Sequence, residues 1–165
     1  MTSPASDPRI DIAQTVYAFA YGIDSRDWDT YRSIFVEPDD EITFDYESYS
    51  GRPARRMTSD DWLGVVTPLF HGLDATQHTM SNPIVEIDGR AARCRMYMQA
   101  AHFLWNDEVE APEFTIGGYY DDHLVLQDDG QGGTWRIDAV ALTVWWRRGN
   151  SEIMDIARRT SRPRP

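Results

Sequence analysis

The apolar residues of this chain recur mostly at helical spacing up to about residue 70 and alternate after it, and that division limits what it can fold into. Toward the N-terminus they recur at helical spacing, as Ile12, Val16, Phe19, Ala20 and Ile23, then Trp28, Tyr31 and Phe35, and later Trp62, Val66, Leu69 and Phe70. From residue 76 onward they alternate instead, in four segments spanning 76–87, 91–105, 115–127 and 134–146, the period of strands with one buried face. Asp88-Gly89, an acidic loop around 107–112 and the stretch 128–133 separate these strands. An earlier short strand holds Ile42, Phe44 and Tyr46 on one side. Helices followed by a run of strands predict an α+β domain, a curved antiparallel sheet wrapped on a helical layer. The strands exceed the usual length, which fits a strongly curved sheet with bulges, and Pro83 marks a bulge or an edge. The inward faces of such a sheet would line a mostly apolar pocket of the kind that takes a small molecule.

Local signals set the boundaries. Asp7-Pro8 reads as an N-cap followed by proline at the first helical position. Asp24, Ser25 or Asp27 can each cap the second helix, which should run to about Phe35, and Ser59 can cap a third that Pro68 kinks or ends. Residues 48–57 form a polar loop with Arg52, Arg55 and Arg56, a rim or lid in position and by default a solvated one. A closing helix is expected over 150–159. The chain therefore divides into a flexible N-terminus (1–7), one domain (8–159) and a flexible tail (160–165).

Composition narrows the function classes. With 41% hydrophobic and 26% charged residues, 165 residues suffice for one domain with a real core. A net charge of -11 argues against nucleic acid as a partner, because phosphate binding is driven by Lys and Arg. One cysteine, Cys94, leaves no internal disulfide framework and no multi-cysteine metal site, and fits a reducing compartment. No apolar run long enough for a signal peptide or a membrane span is present, so a cytoplasmic location is expected.

The residues able to do chemistry lie on several elements. On the first long strand, period two puts His78, Met80 and Asn82 on one face. A buried imidazole needs a partner, and Asp24, bordering the apolar stripe of the first helix, is the candidate: a carboxylate on one ring nitrogen leaves the other as a general base. On the next strand Met96, Met98, Ala100 and His102 share a face; on the following one Tyr119 and Asp121 share parity; on the last Val140 and Leu142 supply apolar lining. Tyr17 and Tyr21 flank Asp24 on its helix. The histidines and carboxylates show no HxxxH or HxH ligand spacing, so no metal is expected.

The stretch Tyr21 to Asp29, the Asp45-Tyr46 strand, Thr76-Gln77-His78, His102, and the run from Gly117 through Asp121 to Trp135-Arg136-Ile137 together resemble the SnoaL-like, scytalone dehydratase-like branch of the nuclear transport factor 2-like superfamily, over about residues 8–157. The resemblance implies a cone-shaped α+β fold, a homodimer or homotrimer, no cofactor, and an Asp–His dyad inside the cone supplied by Asp24 and His78. It further implies that His102 is a second pocket histidine and that Tyr46 polarises a substrate carbonyl. Three positions depart from the dehydratase pattern: Ile23 stands for a second clamping tyrosine, a loss Tyr21 or Tyr17 could make good, and Tyr119 and Asp121 stand for a serine and an asparagine. The expected activity is a lyase, a dehydratase-type elimination on a small cyclic or aromatic hydroxy-ketone, as in polyketide or aromatic metabolism. A ketone isomerase or polyketide cyclase using the same dyad is the alternative, and a non-catalytic small-molecule-binding module is another.

Overall fold

The computed structural model describes residues 7–105, 109–130 and 132–160. Helix α1 (Pro8–Ser25) starts as its sequence predicts: the Asp7 side chain accepts the Arg9 peptide N–H at 2.9 Å, with proline at the first position. Its buried stripe contains Ile12, Val16, Phe19, Ala20 and Ile23. The helix stops at Arg26, which takes the left-handed conformation at φ 62° while its peptide N–H returns to the Ile23 carbonyl. Helix α2 (Trp28–Ser33) follows at once, capped by Asp27, whose carboxylate accepts the Thr30 N–H at 3.0 Å. Of the three possible caps Asp27 serves, and Asp24 is left for other work. The two helices meet closely at Gly22, where an added Cβ would lie 2.7 Å from that of Tyr31.

Strand β1 (Ile42–Asp45) leads into a single helical turn, α3 (Glu47–Ser50), and a short strand, β2 (Arg55–Met57). The last two fall where only a loop is predicted; three or four residues are too few to display a period. Helix α4 (Ser59–Gly72) is capped by Thr58 rather than Ser59, through the Asp61 N–H at 3.2 Å. It also continues through Pro68. That proline sits on the exposed side, where water can satisfy the carbonyl it orphans, while buried Leu69 and Phe70 hold the last turn down.

The four long strands are β3 (Ala75–Asp88), β4 (Ala91–Phe103), β5 (Glu113–Gln127) and β6 (Thr134–Gly149), and α5 (Glu152–Thr160) closes the chain. Six strands form one curved, unclosed sheet in the order β2-β1-β6-β5-β4-β3. One pairing departs from the expected antiparallel sheet: β1 runs parallel to β6, with Phe44 opposite Val140. β3 is an edge strand, and its register shifts between Ser81 and Ile84, so Pro83 occupies both an edge and a bulge. The N-terminal helices cover the concave face, and the core between them holds Phe19, Tyr31, Phe35, Met96, Leu124 and Ile137. Residues 1–6 and 161–165, and 106–108 of the acidic loop, lie outside the described residues. No helix among the described residues is long and apolar enough to cross a membrane.

Candidate active site

The last turn of α1 places Asp24 beside the start of β3. Its Oδ1 lies 2.7 Å from His78 Nδ1 and accepts the Thr76 hydroxyl at 2.9 Å, while Oδ2 accepts the His78 peptide N–H at 2.6 Å. Behind Thr76 stands Arg26, whose Nη1 donates to the Thr76 hydroxyl at 2.9 Å and to the Ile23 carbonyl. Burial works to raise the Asp24 pKa, but the contacts from His78 and Thr76 outweigh it and the carboxyl ends below its usual range. An ionised carboxylate only accepts, so neutral His78 carries its proton on Nδ1 and keeps a lone pair on Nε2. Only 4% of the His78 side chain is exposed.

His78 forms part of the wall of a cavity of about 210 Å³ between α4, the concave sheet face and the 50–55 segment. His102 stands beside it, ring centroids 5.9 Å apart and near perpendicular, with Phe70 against both. His102 Nδ1 is 3.0 Å from the Phe114 carbonyl, which can only accept, so the proton sits there and Nε2 is an acceptor. Burial, reinforced by the neighbouring His78, pushes the His102 pKa down to about 4. His102 is therefore neutral near pH 7 and has no proton on Nε2 to give. Across the cavity the buried phenols of Tyr46 and Tyr120 pair with each other, and Tyr31 accepts the Trp62 indole N–H at 2.9 Å. Burial raises the pKa of all three phenols, so they remain O–H donors. Among the described residues no three His, Cys, Asp or Glu side chains converge to hold a metal ion.

The structure thus brings His78, His102 and Tyr46 to one cavity, with Leu142 in its wall and Asp24 bound to His78 but outside the lining. Met98 and Val140 are on the inward face but lie in the packed core outside the cavity lining. Tyr21 is 63% exposed on the far side of α1. Asn82 is at the β3 bulge, exposed and at φ 56°. Tyr119 and Asp121 point out of the opposite sheet face: Tyr119 packs on Trp145 with Arg95 over its ring, and Asp121 binds Arg93 and Arg95. The strand parity here is the reverse of the one expected. The signal was present, because the even-numbered Phe114, Ile116, Tyr120 and Leu124 of β5 form the apolar set, and a shift of one residue exchanges the faces. Tyr120, not Tyr119, is the tyrosine of β5 that reaches the cavity. Tyr31 and Trp62, read from sequence as core positions only, also reach it.

The family model described as a SnoaL-like domain matches residues 5–141. The chain belongs to the SnoaL-like domain family. Solved structures with the same nuclear transport factor 2-like fold agree. The Kfla4162 protein of Kribbella flavida is 24% identical, with 89% of this chain and 96% of that one covered and a TM-score of 0.78. A protein of Novosphingobium aromaticivorans described as a candidate scytalone dehydratase is 19% identical over 84% of each chain, with a TM-score of 0.65. A type 2 hexachlorocyclohexane dehydrochlorinase, LinA, is 15% identical, with 87% of this chain and 89% of that one covered and a TM-score of 0.68. At such identities the likeness is one of fold. The curated proteins contain no match to this SnoaL-like domain.

Proposed function

We propose that this SnoaL-like domain is a cofactor-independent lyase, which removes a proton from carbon beside a carbonyl of a small ring compound and expels a β-hydroxyl as water. The observation that carries the reading is the His78 imidazole, tied through Nδ1 to Asp24 at 2.7 Å and lining a mostly apolar cavity. Nε2 takes the proton from carbon, and the imidazolium so formed is stabilised by the ionised Asp24. Negative charge then grows on the carbonyl oxygen. The Tyr46–Tyr120 phenol pair can donate to it in a site where few other dipoles compete. Collapse of the enolate breaks the carbon–oxygen bond. The proton that leaves with hydroxide has to come from the His78 imidazolium, since His102 is neutral; His102 Nε2 instead accepts a hydrogen bond and orients the departing hydroxyl.

The test is turnover of β-hydroxy ketones followed by mass spectrometry, with product lighter by one water. His78→Ala and Asp24→Asn should lose about 10²- to 10⁴-fold in turnover while circular dichroism and melting temperature show an intact fold. Full activity in either variant would refute the dyad. The phenol pair also favours a second reading, because a stabilised enolate can be reprotonated at another carbon. A product of unchanged mass would make the enzyme an isomerase or, with a new ring bond, a cyclase.

A further inference from the structure

Acidic residues outnumber basic ones 27 to 16 in this chain, yet the cavity wall contains Arg52, Arg55 and Arg158 and no aspartate or glutamate among the described residues. The three arginines are exposed while His78, Tyr31 and Tyr120 are buried, so the guanidinium groups stand at the mouth and the dyad at the inner end. Their pairing is uneven. Arg32, Arg56, Arg93, Arg95 and Arg148 each have a carboxylate within 4 Å, and Arg158 has Asp155 at 2.9 Å. Arg52 and Arg55 have none among the described residues. The alternation of β2 makes the contrast local: Arg56 turns outward to Glu41, whereas Arg55 and Met57 share the face that borders the cavity. Arg52 follows Gly51, whose left-handed φ of 70° ends α3 and turns the chain over the mouth, and Pro53 stiffens the next step.

Two unpaired guanidinium groups beside an apolar opening, on a protein of net charge -11, form a local positive field where the rest of the surface repels anions. We propose that Arg52 and Arg55 grip an anionic substituent, a carboxylate or a phosphate, of the molecule whose ring enters the cavity. The planar fork of arginine suits both groups. Asp24 at the inner end rules out the reverse orientation, since it would set two anions together. The anion is thus held away from the reacting carbon and fixes which end of the ring faces His78. The inference deepens the lyase reading by naming a substrate class, and rests on the cavity being its substrate site.

Naphthalene-2-carboxylate, 2-naphthyl phosphate and the uncharged naphthalene-2-carboxamide, titrated calorimetrically into the full chain, test it. At least one anion should bind about tenfold more tightly than the carboxamide, with the tighter of the two naming the group and the gap narrowing as salt is added. In the double variant R52Q/R55Q that tenfold advantage should vanish while the carboxamide affinity stays unchanged. Anions that bind no better than the carboxamide, or a double variant that holds them as tightly as the parent, overturn the proposal. Neither result depends on turnover by the parent and His78→Ala, so the substrate class and the dyad can fail separately.

Discussion

Among individual residues, two buried titratable groups pull stability in opposite directions with pH. His102 keeps a neutral ring in the fold down to about pH 4, whereas in the unfolded chain it takes a proton near its ordinary value of 6.5. Its contribution is complete above 6.5 and drains away as pH falls towards 4, by about 3 kcal/mol in all. Urea melts of His102→Gln across that window should show a shallower acid loss than the parent. Asp122 is the converse. It is fully buried on β5, with Oδ1 lacking a hydrogen-bond partner, and burial together with neighbouring Asp121 raises its pKa well above 3.8. Its contribution is complete below 3.8 and is lost as pH rises. Asp122→Asn, which cannot ionise, should therefore gain stability relative to the parent as pH rises above 3.8, read from the same melts. A gap that narrows as pH rises would show that Asp122 is ionised in the fold.

At the level of elements, the site depends on where strands are forced to bend and where helices are forced to stop. The β5–β6 register shifts between Gly117 and Gly118, and a Cβ on Gly118 would lie 1.9 Å from the Thr143 carbonyl oxygen. Backbone cannot yield there as a side chain can. Gly118→Ala should cost about 1–3 kcal/mol and displace Tyr120, two residues on, so that thermal denaturation and turnover fall together. The α1–α2 junction also serves the site: Arg26 in the left-handed conformation ends α1 just after Asp24, and its side chain donates to the Thr76 hydroxyl, which in turn donates to Asp24. The helix starts at Asp7-Pro8 and the alternation of β3 to β6 were legible in the sequence because each is a local pattern. The inward parity of β5 is less legible, because polar Tyr119 and Asp121 alternate with the apolar set and Asp122 shares the buried parity. The parallel β1–β6 pairing leaves no local mark at all, since it joins segments almost a hundred residues apart.

For the molecule as a whole, the helical layer and the curved sheet convert separate sequence signals into one cavity. Asp24 and His78 stand 54 residues apart in the chain, yet a two-element contact is enough to join them. The sequence by itself determined the α+β class and the acidic balance and pointed to Asp24 as the partner of His78, because hydrophobic period, charge and short motifs are properties of neighbouring residues. Only the tertiary structure decided that Tyr120 and Tyr31 face the cavity, that Asp121 serves Arg93 and Arg95 on the outer face, and that Arg52 and Arg55 stand at the mouth with no carboxylate partner among the described residues. Those outcomes follow from sheet curvature, strand register and the packing of α4 and α5, which place residues by long-range contact and leave no period to read.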